Sequence, residues 1–215
     1  MENKKKKVVL NILLLIVGLA LVVSGIIKIS GGSNTGKVSN KFISKFNAIY
    51  TLSGKIATDM KSASDLLLGI SAKEKAKDYT GAAKDVGTSI TKLDDAAVKI
   101  NSLSTTIAEF KIMVEAVTDA TVKESGLKLV SLLEQRNTAT LKLVSDSKQL
   151  VEPAKKYYED LAAGKTGTYL DNDQVYNLTQ EINKDNTILA SLATQIDSAN
   201  KDLANLAGFQ LKTTK

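Results

Sequence analysis

The chain has no histidine, no cysteine and no tryptophan, and only one proline. Each absence removes a class of chemistry. Without imidazole there is no His general base; without thiols there is no thiolate nucleophile, no disulfide and no ordinary zinc site. Aromatic residues are 5% of the 215 residues, which is little for an enzyme core, where rings supply large pieces of buried surface. Pro153 is the one strong helix breaker, so long stretches are free to run as helix. Arginine is scarce too: 28 lysines stand beside a single arginine, Arg136. A nucleic-acid surface would carry a basic stripe with clustered arginine, and no nucleic-acid partner is expected.

What charge there is lies unevenly. The formal net charge is +6, with four lysines and Glu2 in residues 1–7, Lys28 alone after them, and 24 basic residues against 22 acids in residues 31–215. Directly after Lys4–Lys7, the stretch from Val8 to Ile27 holds 20 residues without a charge. As a helix such a run rises ~30 Å, the thickness of a hydrocarbon core. It exceeds the ~7–15 apolar residues of a secretory signal, and no Cys follows to support lipoprotein processing. The expectation is a basic cytoplasmic tail over 1–7 and a transmembrane anchor over 8–29. The lysine-rich flank stays inside, so the rest would lie outside the cell membrane on a single-pass chain. A cleaved, secreted form is the alternative.

Residues 30–36 (SGGSNTG) read as a flexible linker of small residues. Beyond them apolar residues recur at alternating steps of 3 and 4. The first stretch runs Phe42, Phe46, Ile49, Ser53, Ile56, Met60, Ala63, Leu67 and Ile70; the second includes Ala83, Val86, Ile90, Leu93, Ala97 and Ile100. The third includes Leu129, Leu133, Arg136, Thr140, Leu143, Ser147, Leu150 and Ala154; the fourth includes Val175, Leu178, Ile182, Asp185, Leu189, Leu192, Ile196 and Leu203. A seam every ~3.5 residues is the mark of left-handed helix packing, and no segment sustains the period 2 of a strand. The fold expected is all-α: an N-terminal transmembrane helix followed by an elongated antiparallel four-helix bundle with heptad-like packing over 37–207, then a C-terminal tail over 208–215.

Turn signals divide the stretches. Ser71–Glu74 and Thr121–Glu124 have the form of capping boxes, in which hydroxyl and carboxylate each satisfy an orphan amide. Gly164–Gly167 ends the third stretch, and Asp171 or Asp173 can cap the fourth. Pro153 is expected to kink the third helix or split off its last turns. The second stretch outruns the first by ~12 residues, about 18 Å of helix, so the turn near 118–121 is expected beside the linker.

Three polar residues interrupt the seams. Ser53, Ser147 and Asp185 form a candidate polar core layer, read either as a ligand handle or as a registry device with Asp185 turned to the rim beside Lys184 or Lys148. Arg136 is a candidate buried or clamping arginine: it can fork an anion, or lay its stem on the core with its head in water and Asp197 as partner. Asn177-Leu-Thr179 is a candidate glycosylation sequon. The pairs Asp94-Asp95 and Glu159-Asp160 diverge by ~100° on a helix and do not converge on one pocket. Asp171-Asn-Asp173 opens like a calcium loop, but Tyr176 and Ile182 stand where Gly and Glu are required. Gly164-Lys-Thr-Gly167 lacks the spacing of a phosphate loop.

No catalytic residue, cofactor or metal is therefore expected. In layout, an anchor followed by a long helical bundle, the chain is similar in outline to chemoreceptor sensor domains and LemA-like proteins, with no motif residue carried over. The expected role is that of a membrane-tethered extracytoplasmic helical bundle, structural or protein-interacting and non-catalytic, its partners the membrane and a protein or a second copy. The alternative is a ligand-binding or sensing bundle that signals through a membrane partner.

Overall fold

The computed structural model describes residues 26–30 and 37–214. In chain order these form β1 (Ile26–Ser30), α1 (Asn40–Leu68), α2 (Ile70–Lys75), α3 (Tyr79–Glu115), α4 (Ala120–Ala162), α5 (Asn172–Ala207) and β2 (Gln210–Thr214). The helical architecture expected from the period holds, and the seams are the core. Phe42, Phe46, Ile49, Met60, Leu67, Val86, Leu93, Ile100, Leu129, Leu143, Leu150, Val175, Ile182, Leu189 and Leu203 are all buried.

Two compact units divide the chain. The first takes in Ala57–Ala97 and Leu141–Thr187. Its helix segments run antiparallel, since partners fall in number on one helix as they rise on the next. Ser89 Oγ donates to the Ala63 carbonyl at 3.1 Å, and Lys73 pairs with Asp85 at 2.7 Å. Lys148 on α4 reaches Asp94 on α3 at 2.7 Å. Tyrosines build its aromatic part: the rings of Tyr157 and Tyr158 lie 5.1 Å apart, and those of Tyr157 and Tyr169 6.3 Å. The Tyr158 hydroxyl donates to Glu74 and the Tyr169 hydroxyl to the Leu150 carbonyl, at 3.3 and 2.9 Å.

The second unit takes in Val23–Ile56, Val98–Thr140 and Ile188–Lys215. Its centre is phenylalanine. Phe46 lies 6.0 Å from Phe110 and 5.9 Å from Phe209, and Phe42 lies 4.8 Å from Phe110, all in edge-on geometry. Edge-to-face rings gain ~0.5–1.5 kcal/mol beyond area burial. Lys37 pairs with Asp119 at 2.9 Å, which brings the turn after α3 beside the residue that follows the linker, as the lengths require. Leaving α5, Gly208 adopts φ +71, and the amides of Gly208 and Phe209 both return to the Ala204 carbonyl. This left-handed stop suits glycine, and it turns the chain into β2.

Several expectations need correction. Residues 26–29, assigned to the anchor, lie in β1, which pairs antiparallel with β2 in a two-stranded sheet; the C-terminal tail is likewise part strand. The remainder of the expected anchor and residues 31–36 of the linker lie outside the described residues. Among the described residues no helix is long and apolar enough to cross a membrane. Ser71 does not open the second long helix. It sits inside α2, and the cap of α3 is Asp78, whose carboxylate accepts from Gly81 N at 2.8 Å. Asp119, not Thr121, caps α4, accepting from the amides of Thr121 and Val122 at 3.1 Å. In both turns a carboxylate nearer the true start outcompetes the hydroxyl box, because it can accept from free first-turn amides with full charge. At α5 the expected Asp171 does cap, in reciprocal bonds with Gln174 of 2.8 and 3.2 Å. Gly164, at φ +71, ends α4 as expected. Pro153 splits nothing: α4 runs unbroken from Ala120 to Ala162.

Candidate functional site

Asp185 is 3% exposed on α5. A buried carboxylate without a partner would cost several kcal/mol. Its partner is Lys142 on α4, at 3.0 Å from Oδ2. That lysine stands neither at 184 nor at 148. The same ammonium reaches Asp146 at 2.8 Å and Glu181 at 3.0 Å. The bond to Asp146 first, then those to Glu181 and Asp185, hold the ammonium above the ordinary lysine value against the opposing effect of burial. The Lys142 bond in turn holds the Glu181 carboxyl below its ordinary value. Three carboxylates thus converge on one cation. Among the described residues no group of three or more Asp, Glu, His or Cys is arranged for a metal ion.

Among the described hydrogen bonds and ion pairs, none joins Asp185 to Ser53 or Ser147. Ser147 is fully buried, and its hydroxyl has no hydrogen-bond partner. It stands five residues beyond Lys142 on α4, more than a helical turn away, and is bonded to none of the groups around Asp185. Ser53, half-buried on α1, belongs to the second unit. Height counted outward from the turns misses this, because the side chain that answers Asp185 lies off the apolar seam. A long-stemmed lysine one position from a seam edge, opposite two acids of the next helix, is the signal that could have found it.

Arg136 lies half-buried in the second unit. Burial lowers its guanidinium from the usual value, and the nearby Tyr50 ring opposes that shift. The expected partner Asp197 is bonded to Lys201 instead, at 2.6 Å, and Arg136 makes no ion pair among the described residues. Beside it, the buried Tyr50 hydroxyl donates to Asn200 Oδ1 at 2.7 Å. Burial pushes that phenol well above its ordinary value, with the Asn200 bond, Arg136 and Asp197 as smaller influences. The Asn200 Nδ2 is buried without an acceptor.

Asn177 is exposed on the second turn of α5. With Gln149, Glu152, Pro153, Leu170, Gln174 and Leu178 it lines a surface groove of about 510 Å³ in the first unit. The sequon's Thr179 hydroxyl is committed to the Val175 carbonyl at 2.7 Å. The groove holds neither Asp185 nor Ser147, and its one acid, Glu152, is answered by Lys148 at 3.4 Å.

No set of nucleophile, base and oxyanion donors assembles at any of these places. Asp185 is engaged by a cation, and Arg136 makes no ion pair among the described residues. No protein-family model, no curated protein and no solved structure matches the chain.

Proposed function

We propose that this is a non-catalytic, membrane-tethered helical-bundle protein of the extracytoplasmic face, with a structural or protein-interaction role. The observation that carries the reading is the fate of Asp185. Among the described residues Asp185 is the one buried acid, and it is spent on Lys142 of the same chain, which supports a buried charge that serves the chain's own packing. The tether rests on the uncharged run from Val8 to Ile27 behind Lys4–Lys7, which orients a span with its N-terminus in the cytoplasm. No cofactor and no nucleic acid enter this reading; the partners are the membrane and a protein or a second copy.

Crosslinking in native membranes, read by mass spectrometry after a carbonate wash, tests it. The chain should stay in the pellet with residues 1–29 intact and crosslink through exposed lysines to a protein or to itself. A mature N-terminus near Ile26 or Gly32 in the medium would overturn the tether.

A second reading, a ligand-binding or sensing bundle signalling through a membrane partner, draws on one observation. Arg136 is unpaired and half-buried, and Asn200 Nδ2 has no acceptor, which together leave two donors for an anion. Melting-temperature screens against phosphate, sulfate and small carboxylates decide this. A shift that rises with concentration and vanishes in Arg136→Gln would favour the sensor; no shift leaves the structural role.

A further inference from the structure

Pro153 is the one proline of the chain, and α4 runs through it unbroken. A proline inside a helix has no N–H, so the carbonyl four residues earlier, that of Gln149, loses its donor. Both residues line the groove of about 510 Å³ in the first unit, a volume within the ~300–1,000 Å³ of small-molecule sites. A main-chain acceptor freed in this way takes its bond from water or from a ligand.

The side chains add carboxamides whose polarity the surrounding bonds fix. Gln149 Nε2 donates to Asp146 Oδ1 at 3.4 Å, which leaves its Oε1 as an acceptor. Gln174 Oε1 accepts from the Asp171 amide at 3.2 Å, which leaves its Nε2 as a donor. Asn177 is exposed and its side chain makes no hydrogen bond among the described residues, so it offers both. Glu152 adds a carboxylate, and its 3.4 Å contact with Lys148 leaves other lone pairs free. No basic side chain lines the groove, and Pro153, Leu170 and Leu178 give it an apolar part.

This set selects among ligands by charge and by hydrogen-bond type. An anion meets Glu152 and no lining cation. A purely apolar group strands the amides. Acceptors predominate: Gln149 supplies two, and Glu152 and Asn177 more, against the amide groups of Gln174 and Asn177. A peptide strand brings one acceptor with every donor. A hydroxyl brings a donor that rotates to whichever acceptor is near, and it accepts as well. Several hydroxyls around a ring with an apolar face are the make-up of a sugar.

We propose that the groove between α4 and α5 at Pro153 is a binding site for an uncharged carbohydrate. Ring hydroxyls donate to Gln149, Glu152 and Asn177 and accept from the amides of Gln174 and Asn177, while the apolar face of the ring lies on Pro153 and Leu178. Gln149, Glu152, Gln174 and Asn177 are all exposed, so the groove admits a unit within a longer glycan as well as a free sugar. The site lies wholly in the first unit. It goes beyond the role proposed above and rests neither on the tether nor on Arg136.

The test is isothermal titration of the full chain, held in a zwitterionic detergent without a sugar headgroup. The probes are tetrasaccharides of glucose and of N-acetylglucosamine. At least one should bind saturably at a single site, and Asn177→Ala should weaken it roughly tenfold, since two hydrogen bonds are lost. The Asn177 side chain bonds to no described residue, so an unchanged melting temperature should accompany that loss. Asn183→Ala, which removes an exposed amide of the same helix outside the groove, should leave binding as it was. Added salt should leave it unchanged too, because no ion pair forms. No heat from either saccharide at millimolar concentration overturns the site. Binding undiminished in Asn177→Ala also overturns it, placing the sugar elsewhere on the chain. Tetra-alanine bound as tightly as the saccharide overturns it in favour of a peptide groove.

Discussion

All four phenylalanines of the chain fall in the second unit, whereas five of its six tyrosines fall in the first. The two units bury rings of similar size by different means. Phenylalanine asks only for shape, so Phe42, Phe46, Phe110 and Phe209 meet edge to face with no polar atom to satisfy. A buried tyrosine must place its hydroxyl. In the first unit those hydroxyls become stitches across the ends of helices, Tyr158 to Glu74 on α2 and Tyr169 to the Leu150 carbonyl. The second of these falls one residue from Gln149, whose carbonyl is the one that loses its helix donor at Pro153. The first unit also buries a carboxylate and answers it with a lysine at the surface; the second buries a phenol–amide bond beside a half-buried guanidinium. Polarity is therefore used for attachment in one unit and tolerated at the edge of an apolar core in the other.

The contrast can be broken most sharply at Phe46, which is fully buried and touches three rings. Phe46→Ala should cost ~3–5 kcal/mol in denaturant unfolding of the full chain. A loss below that of any first-unit tyrosine variant would contradict the account of the apolar core.

Lys142 and Asp185 come next, with opposite signs. Lys142→Met leaves Asp185 and Asp146 without their cation and should destabilise by ~1–3 kcal/mol, discounted because the ammonium stem is half-exposed. Asp185→Leu removes the buried carboxylate but leaves Lys142 two other partners, so it should stabilise by ~1–3 kcal/mol. Equal signs in a thermal melt would show that the cluster is not the isolated cation-centred unit described.

Tyr158→Phe should cost only ~0.5–1.5 kcal/mol, since its bond to Glu74 is long and the ring stays packed. The smallest effect at neutral pH appears only in alkali. Burial raises the phenols of Tyr50, Tyr157, Tyr158 and Tyr169 above their ordinary value of 10.0. A group whose folded value is raised gives stability that is fully present below the unfolded value and lost as pH rises through the folded one. The fold should therefore weaken above about pH 10. In a variant with Tyr79 and Tyr176 changed to Phe, the tyrosinate absorbance should rise together with loss of helical circular dichroism. Ionisation well ahead of helix loss would contradict the burial of these rings.

Much of the fold was legible because the period of the apolar residues is a local property. Phe42 to Ile70 and Val175 to Leu203 are spaced by the helix itself, and whichever helices they meet, that face must be covered. The glycine at 164 and the cap at Asp171 were legible for the same reason: left-handed φ and orphan amides are settled within one turn. The caps at Asp78 and Asp119 were missed because two local signals competed within a few residues, and only the path of the chain through each turn chose between them. Of the site residues, Asp185 is buried on its seam, and its partner is Lys142 rather than the Lys184 or Lys148 that spacing suggests. Arg136 was placed half in the core, while its proposed pairing with Asp197 gave way to Lys201, one turn along the same helix.

The sequence by itself determined that this chain is helical, which face of each helix is inward, and that its basicity sits before a long uncharged run. Each of these follows from residue type and spacing over at most a few turns. Tertiary structure alone decided which side chain answers Asp185, and that Phe209 packs with Phe46. It also decided that Ile26–Ser30, which continues an apolar run, pairs as a strand with Gln210–Thr214. Those outcomes join residues far apart in the chain, and the energy that selects them, desolvation of a charge, contact between rings or a ladder of backbone bonds, exists only after the helices have brought the partners together.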